Sequence, residues 1–294
     1  MSKEASVGDR FAAFVAIDWS GAKGGRQPGI AIASCEPGRV APALVRPSHV
    51  WSRTEVLDWL LNDLPDNSLV GMDLSPSLPF EDCGAFFPNW SESPPNARGL
   101  WALVDKIAAD DPHLAATSFV DHPEASRHFR RHRGRTGDRF GTGAGRFRRV
   151  ENRQRCHDLT PYSCMNLVGA AQVGKSSLTG MRILHRLDGR IPIWPFDSLP
   201  SHGSVIVEIY TSLAARKGGV LRGRSKMRDA ISLDAALNEF DGESHAPLDR
   251  YTDHATDAIL TAAWLRRAAH NSALWNPEGL DDVRHTEGWT FGVL

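Results

Sequence analysis

A chain of 294 residues with 41% hydrophobic and 23% charged residues is long enough to bury a sizeable core, and that ordinary balance excludes a largely disordered protein. The formal net charge of -1 excludes a globally basic coat for nucleic acid, although local patches must be read from the sequence itself. The four cysteines, Cys35, Cys83, Cys156 and Cys164, lack C-x-x-C spacing and are expected as free thiols, with neither a zinc site nor a disulfide framework. MSKEASVGDR has no basic start or apolar run of a signal peptide, and no apolar stretch reaches membrane-spanning length, so a cytoplasmic location without membrane contact is expected.

FAAFVAID (11–18) is a short apolar run that reads as a strand buried on both faces. GIAIASC (29–35) follows as a hairpin partner, and ALVRPSHVW (43–51) supplies a third antiparallel strand. SRTEVLDWLLNDL (52–64) predicts a helix, with Ser52 and Glu55 as a capping box and Val56, Leu57, Leu60, Leu61 and Leu64 at helical spacing. SLVGMDLS (68–75) is then a strand ending in Asp73. A helical crossover permits this strand to lie parallel to the first, which brings Asp18 and Asp73 to one carboxyl edge of the sheet, where α/β ligand sites form. The plainer alternative is that each aspartate caps a turn.

SVIVEIYTSLAARK (204–217) places Glu208 inside an apolar strand that passes into a helix. An ionised Glu there is costly to bury unless a metal or a cation meets it. RYTDHATDAILTAAWLRRAAH (250–270) is a long helical pattern capped by Thr252 or Asp253, with Asp253 and Asp257 four apart on one face of its first turns. Asp18, Asp73, Glu208 and Asp257, with Asp253 beside them, form a set of hard oxygen donors suited to Mg²⁺ or Mn²⁺. Two such ions suit phosphodiester hydrolysis, which needs no nucleophilic side chain.

The segments AIDWSGAK (16–23), VGMDLSPSLP (70–79), VIVEIYTSLA (205–214), DHATDAILTAAW (253–264) and EGWTFGV (287–293) resemble, in this order, a bacterial and archaeal family of predicted ribonuclease-H-like nucleases known as domain of unknown function 429. The resemblance spans nearly the whole chain. It implies a single α/β domain with a ribonuclease-H-like mixed five-stranded sheet, antiparallel leading strands and flanking helices. It also implies a divalent-metal nuclease site at Asp18, Asp73, Glu208 and Asp257, with Asp253 as helper.

Between the two acidic halves lies an insertion of roughly 80–200 with weak periodicity. Its stretch 127–155 holds eleven arginines against Asp138 and Glu151, with Phe129, Phe140 and Phe147 interleaved and glycines throughout. Arg forks suit phosphates and aromatic faces stack on unpaired bases, so this reads as a mobile nucleic-acid-binding loop, with Arg130, Arg131, Arg133, Arg146, Arg148 and Arg149 as its contacts. The alternative is a solvated loop whose arginines pair with acids elsewhere. His122, His128, His132 and His157 are assigned no role; His254 stands next to the helix-head carboxylates, but its position one after Asp253 aims it away from the face shared by Asp253 and Asp257.

GAAQVGKSS (169–177) matches the phosphate-loop pattern, but Pro161, Ser163 and Asn166 interrupt any strand that would feed it. Lys175 is therefore expected to touch a polynucleotide phosphate if it touches one at all. Three readings other than a nuclease stay open: a phosphate-loop ATPase using Lys175 and Ser176, a sugar-kinase or actin-like ATPase suggested by DWSGAK (18–23), and a nucleic-acid-binding or scaffold protein with a vestigial site.

Overall fold

The computed structural model describes residues 6–156, 159–168, 173–220 and 227–294. Strands β1 (Ala13–Asp18), β2 (Ala31–Cys35), β3 (Ala43–Leu44), β4 (Ser68–Asp73), β5 (Ile193–Trp194) and β6 (Val205–Glu208) form one mixed sheet in the order β3-β2-β1-β4-β6-β5. The β3-β2-β1 portion is antiparallel, and β1, β4, β6 and β5 run parallel. The sheet thus has six strands where five were expected. The extra one is the two-residue edge strand β5, whose Ile193 and Trp194 are buried against β6. The third strand is shorter than its sequence suggests, because Pro47 lacks an N–H and Arg46 and Ser48 adopt left-handed backbone.

Helices α1 (Arg53–Asn62), α2 (Ala97–Ile107), α3 (Thr117–Asp121), α4 (Arg149–Cys156), α5 (Val173–Arg186), α6 (Thr211–Lys217), α7 (Ala230–Asn238), α8 (Asp253–Ala268) and α9 (Leu280–Val283) complete the described elements. Alternate β1 residues feed two separate cores. Val15 and Ile17 pack with Val56, Leu100, Leu178 and Met181, whereas Phe14 and Ala16 pack with Leu213, Ile259, Ala262 and Phe291. The sheet is covered on both faces, which is why β1 reads as an unbroken apolar run. The capping box of α1 forms as expected, with Ser52 Oγ accepting from Glu55 N and a Glu55 carboxylate oxygen accepting from Ser52 N.

The span of roughly 80–200 is more structured than its weak periodicity implies. It carries α2 to α5 and β5, and Leu100, Trp101, Val104, Leu178 and Met181 share a core with Val15 and Val70. Asn96 caps α2 by accepting from Gly99 N at 2.9 Å. The Pro94-Pro95 pair directly upstream obscures that helix start in the sequence. Among the described residues, no helix is long and apolar enough to cross a membrane.

Candidate active site

Because β1 and β4 are parallel and in register, Asp18 and Asp73 are direct Cα partners at the last position of each strand. On the other side of β4, Glu208 pairs with Met72, so the three acidic strand ends lie along one sheet edge. Helix α8, capped by Thr252 Oγ1 accepting from Ala255 N, starts over the same edge and brings Asp253 and Asp257 to it. Two cavities open there. The larger, about 400 Å³, is lined by Asp73, Glu208, Arg148, Ser176, Tyr210 and Tyr162 among others. The smaller, about 260 Å³, is lined by Asp18, Asp253, Asp257 and Thr211, and His254 lines both.

Burial pushes the Asp73 carboxyl well above the usual carboxylate range, and repulsion from Asp18, Asp257 and Glu208 pushes the same way. The Thr211 hydroxyl opposes the shift by donating to Asp73 Oδ2 at 2.8 Å. Asp18 is also raised, because burial outweighs the contact of its Oδ2 with His254 Nδ1 at 2.7 Å. That same contact, partly offset by burial, raises His254 and favours its protonated ring. Two buried carboxylates facing each other cannot both ionise cheaply without a cation between or beside them. Thr211 and His254 set the local charge balance, and the sequence signal for each was weak: a hydroxyl three residues after a strand end, and a histidine between two helix-head acids.

Glu208 meets its counter-charge inside the chain. The Arg148 guanidinium straddles its carboxylate, with Nη1 donating to Oε2 at 2.9 Å and Nη2 to Oε1 at 2.5 Å. Arg148 Nε donates to Glu151 Oε1 at 3.0 Å, and Nη1 also donates to the Glu287 carbonyl at 3.0 Å. Thr290 Oγ1 donates to Glu208 Oε1 at 2.9 Å, and the Gln154 side chain donates in turn to Thr290 Oγ1. Burial disfavours the Arg148 charge, but Glu208 and Glu151 outweigh it and hold the guanidinium well above its ordinary value. Arg148 has a side chain only 1% exposed. It is therefore a wall residue of the cavity and no part of a solvent-facing loop. Glu208, expected to meet a metal or a cation, is met in this fold by an arginine, as a buried anion requires a counter-charge.

Other arginines of the 127–155 stretch are tied down too. Arg127 pairs with Asp138, Arg131 with Asp121, and Arg149 with both Glu81 and Asp282. Arg146 pairs with Asp82 and donates to the carbonyls of Pro79, Ala85 and Phe86. Arg130 lies over the Phe140 ring at 4.6 Å and donates to the Gly143 carbonyl. Phe129 and Phe140 are buried. The stretch expected as a mobile loop is thus fastened by carboxylates near in sequence, Asp121 and Asp138, and by distant ones, Glu81, Asp82 and Asp282, which composition alone could not assign to it. Arg133 is exposed, on left-handed backbone.

Residues 169–172 of the phosphate-loop match, and His157, lie outside the described residues. Residues 159–168 contain no strand, and α5 begins at Val173. The turn after β1 packs closely on that helix start: a Cβ at Gly21 would lie 2.4 Å from Ser176 N, and Trp19 Nε1 donates to the Ser176 carbonyl at 3.1 Å. Lys175 Nζ lies 2.6 Å from His132 Nε2. Burial lowers the Lys175 ammonium and the charge of Lys23 adds to it, while Lys175 in turn lowers His132.

The donor set meets a divalent cation in charge more than in geometry. Asp18, Asp73, Asp253 and Asp257 converge around one sheet edge as hard oxygen donors, with two of them raised by burial. Among the described residues, however, no group of three or more His, Cys, Asp and Glu side chains stands in metal-ligating arrangement. Comparison of the chain with family models, with curated proteins and with solved structures gives no match.

Proposed function

We propose that the chain is a divalent-metal-dependent nuclease of ribonuclease-H-like fold that hydrolyses phosphodiester bonds of nucleic acid. The observation that carries this reading is the in-register pair Asp18 and Asp73 at one sheet edge, Asp18 lining the smaller cavity and Asp73 the larger, with both carboxyls raised. The antiparallel leading strands followed by parallel β4 and β6 support it, as does the order of the five acidic and aromatic segments along the chain. Fold likeness by itself would leave function open, since one core hosts unrelated chemistries.

Asp18, Asp73 and Asp257, with Asp253 beside them, would hold Mg²⁺ or Mn²⁺. A cation so held supplies Lewis acidity and an activated water for phosphodiester hydrolysis. Thr211 orients Asp73 through its hydroxyl, and His254, which lines both cavities, steadies Asp18 through its Nδ1 contact. Glu208 and Arg148 pair in the wall of the larger cavity and, with Glu151, shape it without leaving a free positive charge there. No side chain of the site is required as nucleophile.

Cleavage of labelled single- and double-stranded DNA and RNA with Mg²⁺ or Mn²⁺ tests the reading. Activity is expected in the wild type and is expected to be lost in Asp18→Asn and in Asp73→Asn. Undiminished cleavage by both variants would sink the assigned site. Saturable ATP binding that Lys175→Ala abolishes would replace it with the ATPase reading.

A further inference from the structure

The larger cavity has three chemically distinct parts. Its floor is acidic, formed by Asp73 with Glu208 and Arg148. Next in sequence to the wall residues Ala22 and Ser176 stand Lys23 and Lys175, which act electrostatically on each other and on His132, with Lys175 and His132 in direct contact. Tyr162 lines the cavity too and is 54% exposed, even though its neighbours Ser163 and Cys164 are buried. Ser163 Oγ donates to the Arg146 carbonyl and accepts from Met165 N, so the Tyr162 backbone is anchored while the residue stays exposed. An exposed aromatic residue on a fixed backbone, with basic side chains close by, is a combination that binds unpaired nucleotides by stacking and charge.

Size points the same way. About 400 Å³ falls within the range of roughly 300–1,000 Å³ that encloses one drug-sized ligand, the size class of a single nucleotide. A cavity of this size takes a nucleotide that arrives unpaired or is turned out of its stack more readily than one held in a duplex.

We propose that this cavity receives one unpaired nucleotide, its base stacked on Tyr162 and its phosphate toward Asp73, with Lys23, Lys175 and His132 taking the next phosphate of the strand. The substrate class is therefore single-stranded nucleic acid. This inference rests on the nuclease reading of the same cavity, and the experiment below separates the two.

Fluorescence anisotropy of a labelled oligothymidylate, and of a duplex of equal length, is measured with Ca²⁺ in place of Mg²⁺ to hold back turnover. The single strand is expected to bind more tightly than the duplex. Tyr162→Ala is expected to weaken single-strand binding about ten-fold or more and Tyr162→Phe to stay within about two-fold, as stacking on a ring predicts. An exposed side chain leaves the melting temperature of both variants close to wild type, so the loss is one of binding. Thymidine monophosphate that displaces the oligonucleotide at comparable concentration would assign the cavity to a free nucleotide as the source; failure to displace assigns it to a strand. Unchanged single-strand binding in Tyr162→Ala, or a duplex bound more tightly than the strand, overturns the proposal. Cleavage with Mn²⁺ is read in parallel. Tyr162-dependent strand binding without any cleavage defeats the nuclease reading and keeps the nucleotide pocket. Cleavage with Tyr162-independent binding does the reverse.

Discussion

Asp18 and Asp73 stand opposite each other as the last residues of two parallel neighbouring strands, and each carboxyl is raised by burial. Asp73 is raised further by Asp18 itself. The folded chain therefore holds charge repulsion at its sheet edge that an entering cation would relieve.

Removing one of the two carboxylates should make the cation-free protein more stable. The folded-state pKa of Asp73 lies above its ordinary value of 3.8, so folding is favoured by this group when it is protonated and loses that contribution as pH rises from 3.8 through the folded value. Asp73→Asn cannot lose it. The variant is expected to melt higher than wild type at pH 7 without added metal, with the difference vanishing near pH 3. Mg²⁺ should then raise the wild-type melting temperature while moving that of Asp73→Asn much less. A wild type that melts above the variant at pH 7 would contradict the repulsion.

Arg148 and Glu208 should behave as one buried unit. Arg148→Met leaves Glu208 and Glu151 buried without their cation and should cost about 3–5 kcal/mol, as breaking a buried pair does. Glu208→Gln should also destabilise, and the double variant should lose clearly less than the sum of the two, because contacting partners couple. Urea unfolding of the three variants reads the coupling. Additive losses would mean that the two groups do not depend on each other.

His128 predicts a specific acid sensitivity. It is buried against Phe87, with ring centroids 5.3 Å apart, and burial together with Arg139, Arg146 and Arg127 lowers its pKa from 6.5 to about 4. A histidine held neutral in the fold takes up its proton more readily when unfolded, so its contribution to stability is complete above 6.5 and falls away as pH drops toward 4. His128→Phe keeps the ring packing and should flatten the stability profile over that window. An unchanged slope would assign the acid sensitivity to other groups.

Gly21 is constrained by space. Gly21→Ala would drive a methyl into the Lys175–Ser176 backbone and should cost about 1–3 kcal/mol, the usual effect of overpacking. Because that contact seats the β1 turn on α5 at the cavity wall, oligonucleotide binding should weaken with stability. Thermal melting and anisotropy on the same variant check both effects together.

Elements whose signal is local were legible from the amino-acid order. β1, β2, β4 and β6 are apolar runs, α1 carries its own capping box, and α8 is marked by Thr252 followed by an apolar stretch. Their succession placed Asp18, Asp73, Glu208, Asp253 and Asp257 around one sheet edge, since a strand end and a helix start are positions along the chain and a crossover helix makes neighbours parallel. What could not be read there was the identity of each partner. The arginines of 127–155 looked available because, of the residues that engage Arg131, Arg146, Arg148 and Arg149, Asp121 is 10 residues distant in sequence and Asp82, Glu208, Glu81 and Asp282 are 60 to 133 distant. Composition reports how many cations a stretch holds; only the folded chain decides which are already neutralised. The sequence alone determined where the acidic groups meet, through periodicity and strand order. The tertiary structure decided that Glu208 faces Arg148, that Asp18 faces His254, and that Tyr162 stays exposed at the cavity, because burial forces each charge to find its counter-charge wherever the fold brings one within reach.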